Sequence, residues 1–233
     1  MPEFEVYDTT HVIALALTAV AITLSFVFRR RLSEPGPNRV VRYTLAGALL
    51  LNEVLFQVFE VATGHWTADF SLRLHICQIT TFVLVYVLIT LKPLPFQLVY
   101  FWLITGMLHG MFTPNLKSYD PPHVVVDFFV YHGVTLVGLA FLLATTKLRP
   151  TWKGLWFTVV FGISLMAVIG LINWAFDLNY WFLCEKPYGD NLTSLMPAWP
   201  WYVGVFIPVA ILHYLIAYVP FAYMDWRARR SAA

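Results

Sequence analysis

Seven apolar runs constrain the fold of this chain more than any other feature of its sequence. Each run is close to the ~20 residues that an α-helix needs to cross the hydrocarbon core of a bilayer. Hydrophobic residues make up 59% of the chain and charged residues only 12%, whereas a soluble domain has roughly 25% charged residues. We therefore expect an all-α, polytopic membrane protein, with one domain over residues 1–233 and seven transmembrane helices. The runs are Thr10 to Phe28, Tyr43 to Gly64, His75 to Leu91, Pro95 to Thr113, Val124 to Thr146, Gly154 to Phe176 and Trp201 to Tyr223.

The basic residues predict the orientation of these helices. Of the fifteen Lys and Arg residues, twelve fall in segments on one side of the predicted membrane and three on the other. Because Lys and Arg are enriched in cytoplasmic loops, we predict a cytoplasmic C-terminus and an N-terminus outside. The three outer basic residues are Arg73, Lys117 and Lys186.

Cys77 is the first candidate for a chemical role. It lies in the first turn of the third predicted helix, where the partial positive charge of the helix N-terminus favours the thiolate form of a cysteine. His75 lies two positions earlier and points to a different side of the helix. A histidine base for Cys77 would therefore come from another helix. The alternative is that Cys77 is a small packing residue and His75 a polar residue at a helix end.

Polar side chains concentrate in the predicted outer half of the membrane. Ionisable residues at this depth are costly and usually face a cavity or a partner. Glu53, Gln57 and Glu60 are spaced i, i+4, i+7 and form one stripe, although Glu53 and Gln57 can equally serve to hold helices together. We predict an outward-facing polar pocket in which Glu53, His109, His132 and Asn173 converge on Cys77. The expected substrate-binding side chains are Glu53, Gln57, Glu60, His75, Gln78, His109, Asn173, Asn179 and Tyr180.

Two other polar residues have simple structural interpretations. Asp127 can be a residue at the membrane interface where its helix begins. His213, near the middle of the seventh predicted helix, is better explained as a packed or hydrogen-bonded interior histidine. His75, Cys77, His109 and His132 are ligand types that suit zinc, but the i, i+2 spacing is poor for two ligands from one helix. We therefore expect no cofactor, and the sequence contains no nucleic-acid-binding motif.

The segment between the sixth and seventh predicted helices is long and aromatic. It runs from Asp177 to Tyr202 and predicts a lid on the outer surface. The segment contains Cys184, so both cysteines lie on the predicted outer side, where an oxidising compartment permits a disulfide. A Cys77–Cys184 disulfide and a nucleophilic Cys77 exclude each other.

Several blocks resemble one family. Leu72-x-Leu74-His75-x-Cys77 resembles the L-P-L-H-x-C pattern of YwaF-type bacterial integral membrane proteins, which are related to transmembrane protein 164. The resemblance runs from about the second predicted helix to the seventh. The chain departs from the pattern at Arg73, where the bacterial proteins usually have proline. The other similar blocks are Gly106 to Pro114, Asp127 to Gly133, Asn179 to Pro187, and Pro200-Trp201-Tyr202.

This resemblance implies a seven-helix protein of the bacterial plasma membrane and suggests which reaction it catalyses. The transmembrane protein 164 branch is described as a cysteine-dependent acyltransferase that acts on phospholipids; its thiol position matches Cys77 and its fifth-helix histidine matches His132. His132 would act as general base, and Asn173, Asn179 or Gln78 would donate to the oxyanion. The acyl group would move between a phospholipid and a lysophospholipid.

A non-enzymatic protein is the alternative from another class. A seven-helix receptor, sensor or transporter would use an outward-facing polar pocket, with a disulfide between Cys77 and Cys184. The sequence has no convincing internal repeat, which weakens the transporter hypothesis because transporter folds often carry such repeats. The state of the two thiols separates the two classes.

Overall fold

The structure is a computed structural model that describes residues 4–116, 118, 121–187 and 191–231. Lys117, one of the three outer basic residues, lies outside the described residues. The element order confirms the all-α class. The α-helices are α1 (Thr9–Val27), α2 (Arg29–Leu32), α3 (Pro35–Thr63), α4 (Ala68–Ser71), α5 (Ile76–Thr90), α6 (Pro93–Trp102), α7 (Leu108–Phe112), α8 (Pro122–Thr145), α9 (Trp152–Phe176) and α10 (Trp201–Ser231).

The described helices support a multi-pass membrane protein. Five of them, α1, α3, α8, α9 and α10, are long and apolar enough to cross a bilayer. Helix α5 is apolar but has only 15 residues. The fourth predicted helix consists of α6, a π-helical turn over Leu103–Met107, and α7 in direct succession. As membrane spans, α5 and this composite helix remain a prediction.

Helix α3 begins earlier than its apolar run suggests. We expected a start at Tyr43, but the helix begins at Pro35, a position where proline is favoured because its missing N–H needs no partner. Arg42 is buried in this added stretch, and its guanidinium donates to the carbonyls of Leu88 and Ile89. These carbonyls lie in the last turn of α5, where a cation complements the helix dipole. The polar start of α3 therefore stabilises the end of α5.

The core lies around α6 and the π-helical turn. Phe96, Phe101, Trp102, Leu103 and Met107 are each at most 1% exposed. Helix α8 packs against α1, α3 and α5, and α5 packs against α6. By contrast, α1 buries only two residues, His11 and Ser25, and leaves its apolar surface exposed, as a lipid-facing helix does. The inner helices α5, α6 and α8 therefore carry the residues that build the site.

Helices α6 and α9 approach each other closely at Gly154. A Cβ atom at this position would lie 1.9 Å from Oε1 of Gln97. The same oxygen accepts a hydrogen bond from the backbone N–H of Thr151, and Nε2 of Gln97 donates to the carbonyl of Arg149. A glycine is required here because the glutamine fills the space that any side chain would need.

Candidate active site

Cys77 is the second residue of α5 and is half-buried. The residue before the helix, His75, makes no side-chain hydrogen bond to the helix N-terminus, and the first hydrogen bond of the helix runs from the N–H of Ile79 to the carbonyl of His75. Within the described chain, the backbone N–H groups of Ile76 and Gln78 therefore have no hydrogen-bond partner, whereas that of Cys77 contacts its own thiol. Such orphan donors are a general property of helix N-termini, and here they lie beside a thiol.

Both cysteines are free thiols. The Cys77–Cys184 disulfide that belongs to the non-enzymatic alternative is absent. Cys184 is exposed, and its backbone N–H donates to Oδ1 of Asn179. The lid is attached to the residues before α5 by other contacts, so it needs no covalent bond there.

His132 is 2% exposed on α8. Its Nδ1 lies 2.8 Å from the carbonyl oxygen of Phe128, and since a carbonyl only accepts, Nδ1 carries the proton. The unprotonated nitrogen of the neutral ring is then Nε2. It faces Gly110, where a Cβ atom would lie 2.9 Å from it. This tautomer suits a proton acceptor, although no hydrogen bond joins His132 to Cys77 in the described chain.

Tyr131, the neighbour of His132, connects α8 to α5. Its ring lies 4.2 Å from the His132 ring, measured between centroids. Its hydroxyl lies 3.5 Å from Nε2 of Gln78, the residue that follows Cys77. The first turn of α5 and the middle of α8 are thus neighbours through Tyr131.

Arg73 occupies the centre of a buried ionic network. The residue is 5% exposed; its Nη2 lies 2.6 Å from Oδ1 of Asp127 and its Nε 2.9 Å from Oε2 of Glu53. The guanidinium lies 3.5 Å from the centroid of the Phe56 ring. Burial lowers the pKa of the Arg73 guanidinium, but the charge and hydrogen bond of Asp127 and the charge of Glu53 outweigh it, so the pKa ends above its ordinary value.

The backbone at Arg73 is incompatible with the proline that the bacterial pattern usually has at this position. Arg73 has a φ of 58°, whereas the ring of proline holds φ near −65°. A proline could not adopt this conformation. The arginine therefore enters α5 along a path that the usual proline of the bacterial pattern does not permit.

The rest of the polar stripe on α3 holds the segment before α5. Nε2 of Gln57 donates to Oε1 of Glu53 and to the carbonyl of Ser71. Glu60 is 1% exposed; its carboxylate accepts from the Ser71 hydroxyl and lies 2.6 Å from Nε2 of His123. These contacts give Gln57 and Glu60 a structural role, since they join α3 to the residues before α5 and to α8.

Asn173 and Asn179 organise the lid. Oδ1 of Asn173 accepts from the N–H of Tyr180, and its Nδ2 donates to the Tyr180 carbonyl. Asn179 forms a similar set with Cys184 and Glu185. Burial raises the pKa of the Tyr180 phenol to about 12, so it stays protonated and donates to the carbonyl of Ala68. Both amides are thus bonded to the backbone of the lid.

Hydrogen bonds hold the lid against the residues that precede α5, the helix that carries Cys77. Nε1 of Trp181 donates to the carbonyl of Leu74, and its backbone N–H donates to Nδ1 of His75. Trp181 and Phe182 have φ values of 58° and 54°, a left-handed conformation that is unfavourable for bulky residues. The hydroxyl of Tyr202 donates to the Phe182 carbonyl. Several contacts therefore hold an unfavourable backbone in place over the start of α5.

His109 belongs to a separate pair. Its Nε2 lies 3.3 Å from Nε2 of His213 on α10, and Nδ1 of His213 lies 2.7 Å from the carbonyl of Val209. Apart from Cys77 and Gln78 on α5 and His132 on α8, the expected site residues fall into three groups. These are the ionic network of α3 and α8, the lid with His75 and Asn173, and the His109–His213 pair.

Sequence reasoning missed the partners that complete the first group, Ser71, His123 and Tyr131. Ser71 and His123 lie outside the apolar runs, and Tyr131 is an ordinary aromatic residue within one. Arg73 gave a signal, because it is one of only three basic residues on the predicted outer side. A buried partner for it among the nearby carboxylates could have been predicted from that alone.

Comparison with known proteins shows the family. No curated protein and no solved structure matches the chain. A family model described as the TMEM164 family matches residues 6–218, which includes Cys77, His132 and the lid. This confirms the relation to transmembrane protein 164, while the YwaF-type resemblance stays a prediction. The chain belongs to the TMEM164 family.

Proposed function

We propose that this protein is a membrane-embedded lipid acyltransferase in which Cys77 is the nucleophile and His132 the general base. One observation carries the proposal. The free thiol of Cys77 lies on a helix turn on which the N–H groups of Ile76 and Gln78 have no partner in the described chain. Donors aimed at a developing oxyanion are among the strongest contributions to acyl-transfer catalysis. A nucleophile and an oxyanion site on one turn suit this reaction.

In the first half-reaction, the Cys77 sulfur attacks the ester carbonyl of a phospholipid. His132 accepts the thiol proton at Nε2, and the carbonyl oxygen becomes an oxyanion that the N–H groups of the first turn stabilise. The tetrahedral intermediate then collapses. The ester C–O bond breaks, His132 returns the proton to the departing lysophospholipid oxygen, and the acyl group remains on Cys77 as a thioester.

In the second half-reaction, the hydroxyl of a lysophospholipid attacks the thioester carbonyl. His132 accepts the hydroxyl proton and returns it to the sulfur as the C–S bond breaks. The products are a new phospholipid and the free Cys77 thiol, so the cycle balances without any cofactor. Since Asn173 and Asn179 are bonded to the lid backbone, we assign oxyanion stabilisation to the α5 N-terminus rather than to these amides.

The lid and the orientation of the chain define where this chemistry occurs. We propose seven spans in a bacterial plasma membrane. They are the five long helices, α5, and the composite helix formed by α6, the π-helical turn and α7. The N-terminus is outside and the C-terminus cytoplasmic, which the twelve-to-three distribution of basic residues supports. The start of α5 and the lid then lie on the outer side, so the substrates come from the outer leaflet.

The test is acyl transfer by the purified protein in vesicles of phosphatidylcholine that contain a fluorescent acyl donor and lysophosphatidylcholine. Cys77→Ser should abolish the transfer because a serine hydroxyl is a far weaker nucleophile than a thiolate. Unfolding of this variant should change little, since the two side chains are close in size. Intact-mass analysis of the unaltered protein should show one added acyl group that hydroxylamine removes.

Cys184→Ser is the matched control. It removes the other free thiol, which is exposed on the lid, and should retain both the transfer and the acyl adduct. Full activity of Cys77→Ser, or an adduct that persists in that variant, would end the proposal.

A further inference from the structure

A small cavity lies between α3 and α5 and includes Gln78 of the first turn of α5 in its wall. Its volume is about 10 Å³, room for one water-sized group. One part of its wall is polar and the other apolar. The polar part consists of Asn52, Glu53, Gln78, Thr81 and Tyr131.

Gln78 brings an unsatisfied acceptor to this cavity. The residue is 9% exposed, and its Oε1 has no hydrogen-bond partner within the described chain. The Nε2 of the same amide is directed towards the Tyr131 hydroxyl. Because a buried acceptor without a partner is unfavourable, the site calls for a hydrogen-bond donor.

The charges around the cavity favour a cation as that donor. The guanidinium of Arg73 faces two carboxylates, Glu53 and Asp127, so the network carries one negative charge in excess. The adjoining pair of Glu60 and His123 does not offset this negative charge, because a protonated His123 only neutralises Glu60. Nη2 of Arg73 donates to Asp127, and its Nε lies within ion-pair distance of Glu53 but makes no hydrogen bond in the described part of the chain. The negative charge of these two carboxylates disfavours a phosphate group here.

The apolar part of the wall indicates what the cation is attached to. Leu50 and Phe82 line the cavity and are 44% and 42% exposed. They lie on helices whose outer surfaces are apolar, so the opening faces hydrocarbon. A molecule that fits has an alkyl chain in the membrane and a compact cationic head.

We propose that this cavity binds the primary ammonium group of a single-chain amphiphile that enters from the membrane between α3 and α5. The ammonium is about the size of a water molecule and brings three N–H donors. It would donate to Oε1 of Gln78 and to the carboxylate of Glu53. This binding goes beyond the proposed acyl transfer and does not require Cys77.

The experiment compares three probes of equal chain length on the purified full-length protein in an uncharged detergent. Dodecylammonium should raise the unfolding temperature in a saturable manner. Dodecanol has one uncharged donor, and dodecyltrimethylammonium has the charge but no N–H and too large a head, so both should bind at least about tenfold more weakly. Equal stabilisation by all three would overturn the proposal and leave the cavity as a site for one buried water.

Variants locate the binding. Gln78→Leu should weaken dodecylammonium binding at least about tenfold, because the variant removes the acceptor for the ammonium group. Phe82→Trp narrows the opening and should also weaken binding. Phe161→Trp is its control, since Phe161 on α9 is equally exposed at 41% but lies elsewhere.

The two proposals can fail separately. Cys77→Ser should lose acyl transfer and bind dodecylammonium with unchanged affinity, whereas Gln78→Leu tests the cavity through binding alone. Undiminished binding by Gln78→Leu would refute the ammonium site, whatever the outcome for acyl transfer.

Discussion

The buried ionic network makes a quantitative prediction about Arg73. Replacing Arg73 with methionine keeps an extended side chain on the Phe56 ring but removes the cation. Asp127, which is 6% exposed at its side chain, and Glu53, at 21%, would then face each other without a cation. Among the described residues, each would keep only an amide donor, from Asn52 and Gln57 respectively. Removing one member of a buried ion pair typically costs about 3–5 kcal/mol, because the remaining charge stays buried. We expect Arg73→Met to lower the free energy of unfolding by about that amount.

The chain contains a natural control for this prediction. Arg149 lies 2.6 Å from Asp225, the same distance that separates Arg73 from Asp127. The side chains of the control pair are 40% and 39% exposed, and exposed ion pairs contribute about 0–1 kcal/mol. Arg149→Met should therefore cost less than about 1 kcal/mol. The two variants differ mainly in the burial of the charge that they leave behind.

Equilibrium unfolding in mixed detergent micelles would measure both variants. The double variant Arg73→Met/Asp127→Asn should recover a large part of the loss, because it neutralises the carboxylate that the first change leaves unpaired. Similar losses for Arg73→Met and Arg149→Met, or no recovery in the double variant, would show that the Arg73 network does not behave as a buried ion pair.

Three further predictions test the fold and its orientation. Gly154→Ala should destabilise the protein by about 1–3 kcal/mol, because the new Cβ meets the Gln97 side chain at 1.9 Å. Gly47 has open space around it, so Gly47→Ala should not destabilise the protein. Equilibrium unfolding of the two variants measures the difference. Asn173→Ala should remove both hydrogen bonds to Tyr180, lower stability by about 1–3 kcal/mol and increase proteolysis of the lid; an unchanged digestion pattern would contradict the assigned role. A reporter fused to the C-terminal tail should be active only in the cytoplasm, and activity outside would reverse the proposed topology.

Local patterns were sufficient to predict the helices. Apolar runs of sufficient length predict helices in a membrane because an unpaired backbone N–H or C=O is too costly in hydrocarbon. The helix boundaries were less predictable. Helix α3 begins at Pro35, before its apolar run, and this polar stretch contains Arg42, which bonds to the end of α5. The hydropathy of a single segment does not reveal such a contact.

The sequence also placed the thiol correctly at the start of a helix, since Cys77 is the second residue of α5. It could not decide the roles of the other polar residues. Glu60 and Asn173 lie near the ends of their helices that are predicted to be outer. In the structure, Glu60 contacts Ser71 and His123, and Asn173 bonds to Tyr180. Their depth follows from position along a helix, whereas their partners depend on how the helices rotate against one another.

The sequence by itself therefore determined the class of protein, the helical segments and the turn that carries Cys77, because these follow from hydrophobic length and from properties of single helices. Only the tertiary structure decided that Arg73 is buried between Glu53 and Asp127, that His109 pairs with His213, and that the thiols stay apart. Such contacts join residues far apart in the chain, and side-chain packing selects among the many pairings that the same helices would permit.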